Sequence, residues 1–179
     1  IMSNVRIRHM FAGGNTSLGF FSYYDYILPQ EEAVRIFVIK GGPGVGKTTA
    51  VKAVINVYES LFDEPVLLAS PTGKASRRLA EVTGREAGTI HRLLGFSPEM
   101  PVPLYGSSNP LPCGLLIVDE VSMMGVSMAK LLFDAVGEDT RVLLVGNADQ
   151  LPSVEPGNVL GDLLAAGVPA VRLEKVFRQ

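Results

Sequence analysis

The chain has 179 residues, 47% of them apolar, enough for one substantial core and too few for two. A formal charge of −2 excludes a global positive field, so nucleic acid or an anionic membrane could be met only through local patches. One cysteine, Cys113, and two histidines exclude a disulfide framework and a His/Cys metal cluster, which fits a reducing, cytoplasmic setting. No apolar run approaches the roughly 20 residues of a membrane span, and "IMSNVRIRHM" lacks the pattern of a secretory signal. Met2 after Ile1, and "VFRQ" stopping with no cap or tail, lead us to expect a piece of something larger.

Residues 1–32 are read as an N-terminal extension packed on the core, and 33–179 as the main domain. The extension holds six of the 13 aromatics (eight Phe, five Tyr), between Phe11 and Tyr26. Aromatics beside glycines can stack bases, but they also simply pack, and these are given no role.

Five apolar runs follow: "VRIFVIK" (34–40), "VLLA" (66–69), "LLIV" (115–118), "VLLV" (142–145) and "AVRL" (170–173). Near-continuous Val, Ile and Leu is the signature of strands buried on both faces of a parallel sheet. Between them, Val51, Val54, Ile55, Tyr58, Leu61 and Phe62 recur at helical spacing, and residues 74–82, 124–136 and 157–166 behave similarly. Strand and helix in alternation predict an α/β fold, a parallel sheet of about five strands with helices on both faces. "SPEMPVPLYGSSNPLP" (97–112) holds five of the 12 prolines and is read as a loop. Ligands of such sheets bind beyond the strands' C-terminal ends, where this sequence places "GGPGVGKTT", "SPTGK", "DE" and "GNADQ".

"GGPGVGKT" fits the P-loop pattern, with Gly41, Gly46, Lys47 and Thr48 in its fixed positions between a strand and a helix. Backbone amides of Gly42, Pro43, Gly44, Val45 and Gly46, with those of Lys47, Thr48 and Thr49, form the expected ATP phosphate cradle, less the proline's missing N–H. Lys47 would reach the β- and γ-phosphates, and Thr48 would ligate Mg2+. In "LLIVDE", an acid pair past a buried strand is costly unless a cation meets it. Asp119 would hold the hydrated metal, and Glu120 would position or deprotonate the attacking water. Gln150 in "GNADQLPSV" could bond the γ-phosphate or that water; Asn, Asp and Gly after a strand are equally ordinary turn formers. The stretch 71–92 carries Lys74, Arg77, Arg78, Arg85 and Arg92. These suit nucleic-acid backbone contacts, and they suit a solvated helix face as well.

Taken in order, these motifs resemble the first motor domain of RecD-type DNA helicases of superfamily 1B, a P-loop NTPase with a RecA-like sheet. The likeness rests on "LLASPTGKASRRLAEVTGREAGTIHRLLGF", "LLIVDEVSMM", "LLVGNADQLPSVEPGNVLGDLL" and "VRLEKVFRQ", within residues 64–179. It implies ATP-driven 5′ to 3′ translocation on DNA, with ATP and Mg2+ as cofactors and single-stranded DNA as partner. By that resemblance Pro71, Thr72, Gly73 and Lys74, with Thr89 and His91 of "TIHR", contact DNA. Gln150 couples the γ-phosphate to movement, and Arg178 reaches the γ-phosphate. A second RecA-like domain bearing an arginine finger is implied too, without which turnover is slow. Three positions depart from the family: Asn147 replaces an aspartate, and Gly114 and Gly125 replace acids on either side of the "LLIVDE" strand. Residues 1–57 resemble uncharacterised bacterial P-loop ATPases instead, so a chimera joined in the shared phosphate-loop region is expected. Two other readings stand beside the helicase motor: an ATPase of unknown process, and a nucleotide- or DNA-binding module without turnover.

Overall fold

The computed structural model describes residues 35–97, 99, 102–147 and 157–174. The N-terminal extension and its aromatics, Gln150 and Arg178 lie outside them. Among the described residues, β1 (Ile36–Lys40), β2 (Val66–Ser70), β3 (Gly88–Thr89), β4 (Leu115–Val118), β5 (Arg141–Gly146) and β6 (Ala170–Arg172) form one sheet. Its order is β3-β2-β4-β5-β1-β6, and every pairing is parallel. The five apolar runs are five of these strands. The sixth, β3, is two residues long and carries no apolar run; it forms where Gly88 and Thr89 pair with Ala69 and Ser70.

Helices cover both faces. Phe37, Ile39, Leu68, Leu115, Ile117, Leu143 and Val145 face α1 (Lys47–Leu61) and α2 (Gly73–Thr83), burying Val51, Val54, Ile55, Tyr58 and Leu79. The alternate residues Val38, Ala69, Leu116, Val118, Val142 and Leu144 face α3 (Ile90–Leu93), α4 (Val126–Asp134) and α5 (Val159–Ala165). All four residues of β4 are buried, as a central strand covered on both sides requires. Leu61, counted on the apolar face of α1, ends that helix 41% exposed. The helix expected over 124–136 is shorter, because a 3-10 turn (Val121–Met123) precedes it and Met124 is extended.

The glycine at 114 has a packing counterpart. The buried Tyr58 donates its hydroxyl hydrogen bond to the Glu64 carboxylate, and Gly114 N donates to Pro65 O at 3.1 Å. A Cβ on residue 114 would fall onto both the carboxylate and the hydroxyl. Any side chain at position 114 would displace this pair. Burial, with Glu64 beside it, pushes the Tyr58 phenol well above the usual tyrosine range. The Arg141 guanidinium lies 4.8 Å from the Phe62 ring centroid, closing this end of the sheet.

Candidate functional site

The loop after β1 is fixed on two sides: Gly41 N donates to Gly146 O at 3.1 Å, and Leu173 N donates to Lys40 O at 2.8 Å. The fit is close, since a Cβ on Gly41 would stand 2.7 Å from Val45 Cγ2 and 2.9 Å from Leu173 O. Gly44 (φ 76°) and Gly46 (φ 91°) turn the chain through left-handed conformations that L side chains resist. No side chain caps α1 at Gly46. The amides of its first turn, at Lys47, Thr48 and Thr49, have no acceptor within the helix, and together with the helix dipole they suit an anion. Lys47 Nζ donates to Gly41 O at 2.7 Å and to Gly42 O at 2.8 Å, so the ammonium rests on carbonyls of its own loop.

Asp119 and Glu120 leave β4 at the same edge. Val118 of β4 and Val38 of β1 both pair with Leu144 of β5, so the two strand ends are separated by one strand, about 10 Å. Asp119 N is tied to Ala69 O at 2.9 Å, and its Oδ1 accepts from Glu120 N at 2.8 Å. Burial pushes the Asp119 carboxyl up from its ordinary range. The Glu120 N–H opposes this, the Glu120 charge adds to it, and Lys47 and Arg78 draw it back. Lys47 and Asp119 thus lie within electrostatic reach of each other. Arg78, on α2, joins them, though its place in a run of basic residues gave no sign of it. Glu120 holds φ 55° and ψ 40°, a left-handed non-glycine that caps the 3-10 turn, at a cost of about 1–2 kcal/mol.

The residues fit a divalent cation. A carboxylate pushed up by burial gains from a positive neighbour, and Mg2+ is commonly held by one or two carboxylates together with substrate phosphates. The same burial predicts a pH effect. An aspartate raised above its unfolded value of about 3.9 adds stability below that pH and loses it as pH rises through its folded value. At neutral pH the ionised Asp119 therefore costs stability. Asp119→Asn is expected to raise the Tm of the unliganded protein at pH 7 and to leave it nearly unchanged at pH 3. Thermal melts across that range check this, and a lower Tm at pH 7 would contradict it.

The segments assigned to DNA lie side by side, because Ser70 and Thr89 are paired in register. Thr72 Oγ1 caps α2 by accepting from Ala75 N at 3.3 Å, and Thr89 Oγ1 caps α3 by accepting from Arg92 N at 3.2 Å. Both hydroxyls serve the local fold. Gly73, Lys74 and His91 are exposed, Pro71 is half-buried, and the His91 ring sits 5.5 Å from that of Phe96. Asn147 is buried at the end of β5.

A glycine-rich loop, an uncapped helix with a lysine in its first turn and a strand-end acid, gathered on one parallel sheet edge, define a P-loop α/β domain. The chain belongs to the AAA domain family, whose sequence model matches residues 28–156. Those bounds include residues 57–64, between the two segments whose resemblances differed. An ATP-dependent RecD2 DNA helicase of Deinococcus radiodurans is 50% identical over 153 residues, 86% of this chain and 21% of the relative. The RecBCD enzyme subunit RecD of Mycolicibacterium smegmatis is 41% identical over 150 residues, 71% of this chain and 27% of the relative. The chain thus spans a fifth to about a quarter of these relatives. A crystal structure of Bacteroides sp. Pif1 with ADP-AlF4 is similar at 25% identity and a TM-score of 0.54, covering 92% of this chain and 44% of Pif1. No helix among the described residues is long and apolar enough to cross a membrane.

Proposed function

We propose that this chain is the ATP-binding and hydrolysing core of a RecD-type 5′ to 3′ DNA helicase, the first of two RecA-like motor domains. The observation that carries this reading is that the strands leading to Lys47 and Asp119 end at one sheet edge, one strand apart, in a chain 50% identical over 153 residues to an ATP-dependent DNA helicase. The amides of Gly42 to Thr49, Pro43 excepted, hold the phosphates. Lys47 exchanges its two loop carbonyls for the β- and γ-phosphate oxygens. Thr48 and Asp119 would hold Mg2+, whose chemistry there would be to offset charge developing on the phosphates. Glu120 orients the attacking water and accepts its proton. Gln150 and Arg178 are assigned to the γ-phosphate on resemblance. Pro71 to Lys74, Thr89 and His91 are assigned to the backbone of single-stranded DNA. The arginine finger is assigned, on resemblance, to a second RecA-like domain.

The test is Mg2+-dependent ATP hydrolysis with and without single-stranded DNA. Because backbone contacts weaken with salt, stimulation by DNA is expected at low salt and should fade as salt rises. Hydrolysis indifferent to DNA at every salt concentration would instead favour an ATPase acting in another process. ATP binding with no turnover, even with DNA present, would favour a binding module.

A further inference from the structure

One polar side chain in the described structure lacks a purpose. Ser70, the last residue of β2, is fully buried, and its Oγ has no hydrogen-bond partner among the described residues. Buried hydroxyls are nearly always satisfied. The neighbouring hydroxyls follow that rule: Thr72 and Thr89 cap helices, and Ser76 donates to Gly73 O at 3.1 Å. Only Ser70 in this group is uncommitted.

Its position says what it waits for. Leu68 pairs with Ile117 and Ala69 with Val118, so the next step of the ladder sets Ser70 beside Asp119. Leu68 and Ile117 belong to the layer facing α1 and α2, whereas Ala69 and Val118 belong to the opposite layer. By the alternation of a strand, Ser70 returns to the α1 side, the side on which Lys47 opens its helix, and Asp119 does so with it.

We propose that Ser70 is a positioning residue of the nucleotide site, its hydroxyl bonding a water in the hydration shell of the Mg2+ that Asp119 holds. The inference rests on the nucleotide reading above. Mg2+ bound through one or two carboxylates and phosphates keeps several waters, and each needs partners around it. A serine hydroxyl both donates and accepts, so it serves such a water in either orientation. Without nucleotide and metal the hydroxyl is an unsatisfied buried group, which loosens the empty site and tightens the filled one.

The test is Ser70→Ala, titrated with a non-hydrolysable ATP analogue once in Mg2+ and once in EDTA, alongside unliganded melts. Losing one hydrogen bond should weaken affinity in Mg2+ by about threefold to tenfold, leave affinity in EDTA unchanged, and hold or raise the unliganded Tm. A variant that gains as much affinity from Mg2+ as the parent overturns the proposal. So does a fall of several degrees in unliganded Tm, which would place Ser70 in a purely structural bond. If the parent gains nothing from Mg2+, and Lys47→Ala binds like the parent, the nucleotide reading itself falls and the role of Ser70 falls with it.

Discussion

Lys47→Ala should lower Mg2+-dependent ATP hydrolysis by at least about 100-fold, the loss typical of removing one charge-stabilising donor from a phosphoryl or oxyanion site. The physical reason lies in the loop. Its glycines present amides, which carry only partial charge, while the ammonium brings a full one to the oxygens where negative charge gathers. In the structure that ammonium already rests within hydrogen-bond reach of two carbonyls, 2.7 and 2.8 Å away, at the mouth of the cradle. Its move to phosphate is therefore a short exchange of acceptors. Alanine also leaves Gly41 O and Gly42 O without that donor, a stability loss of about 1 kcal/mol. Melting curves separate this loss from the kinetic one. Equal hydrolysis by parent and variant would remove Lys47 from the site.

Glu120→Gln should separate hydrolysis from binding. A positioned general base contributes about 100- to 10,000-fold to rate, and glutamine keeps the shape without the basicity. Hydrolysis should fall by that factor, while affinity for Mg2+-ATP stays within about twofold. The backbone supports this choice of residue. The left-handed conformation at Glu120 is one that glycine or asparagine would adopt with less strain, so the acid is held there against local preference. Stopped-flow binding and steady-state turnover on one protein preparation measure both quantities. A variant that hydrolyses ATP as fast as the parent would move the base elsewhere.

Much of this architecture was legible before any coordinates, for particular reasons. The strands were visible because burial on both faces leaves little freedom in composition, as the fully buried "LLIV" of β4 illustrates. The phosphate loop was visible because its geometry needs glycine at Gly44 and Gly46, where φ is positive. Strand β3 was not visible, since two residues carry no period and only pairing with Ala69 and Ser70 makes them a strand. Thr72 and Thr89 were assigned to DNA by resemblance, while their oxygens cap helices, a use that depends on where α2 and α3 begin. Gly114 registered as a missing acid, and the packing of Tyr58 against Glu64 shows that a side chain there would meet both. Ser70 was flagged only as the first residue of the strand-end segment "SPTGK", with no role of its own. At a strand end a serine looks ordinary until its burial and its unpaired hydroxyl are known together.

The central claim is that Lys47 and Asp119 grip one metal–polyphosphate from two sides. A double-mutant cycle tests it most directly: calorimetric affinities for a Mg2+-bound ATP analogue in the parent, Lys47→Ala, Asp119→Asn and the double variant. Residues sharing a ligand should be coupled, so the double variant should lose less than the sum of the single losses by about 1 kcal/mol or more. Losses that add within about 0.3 kcal/mol would mean that the two side chains act on separate things.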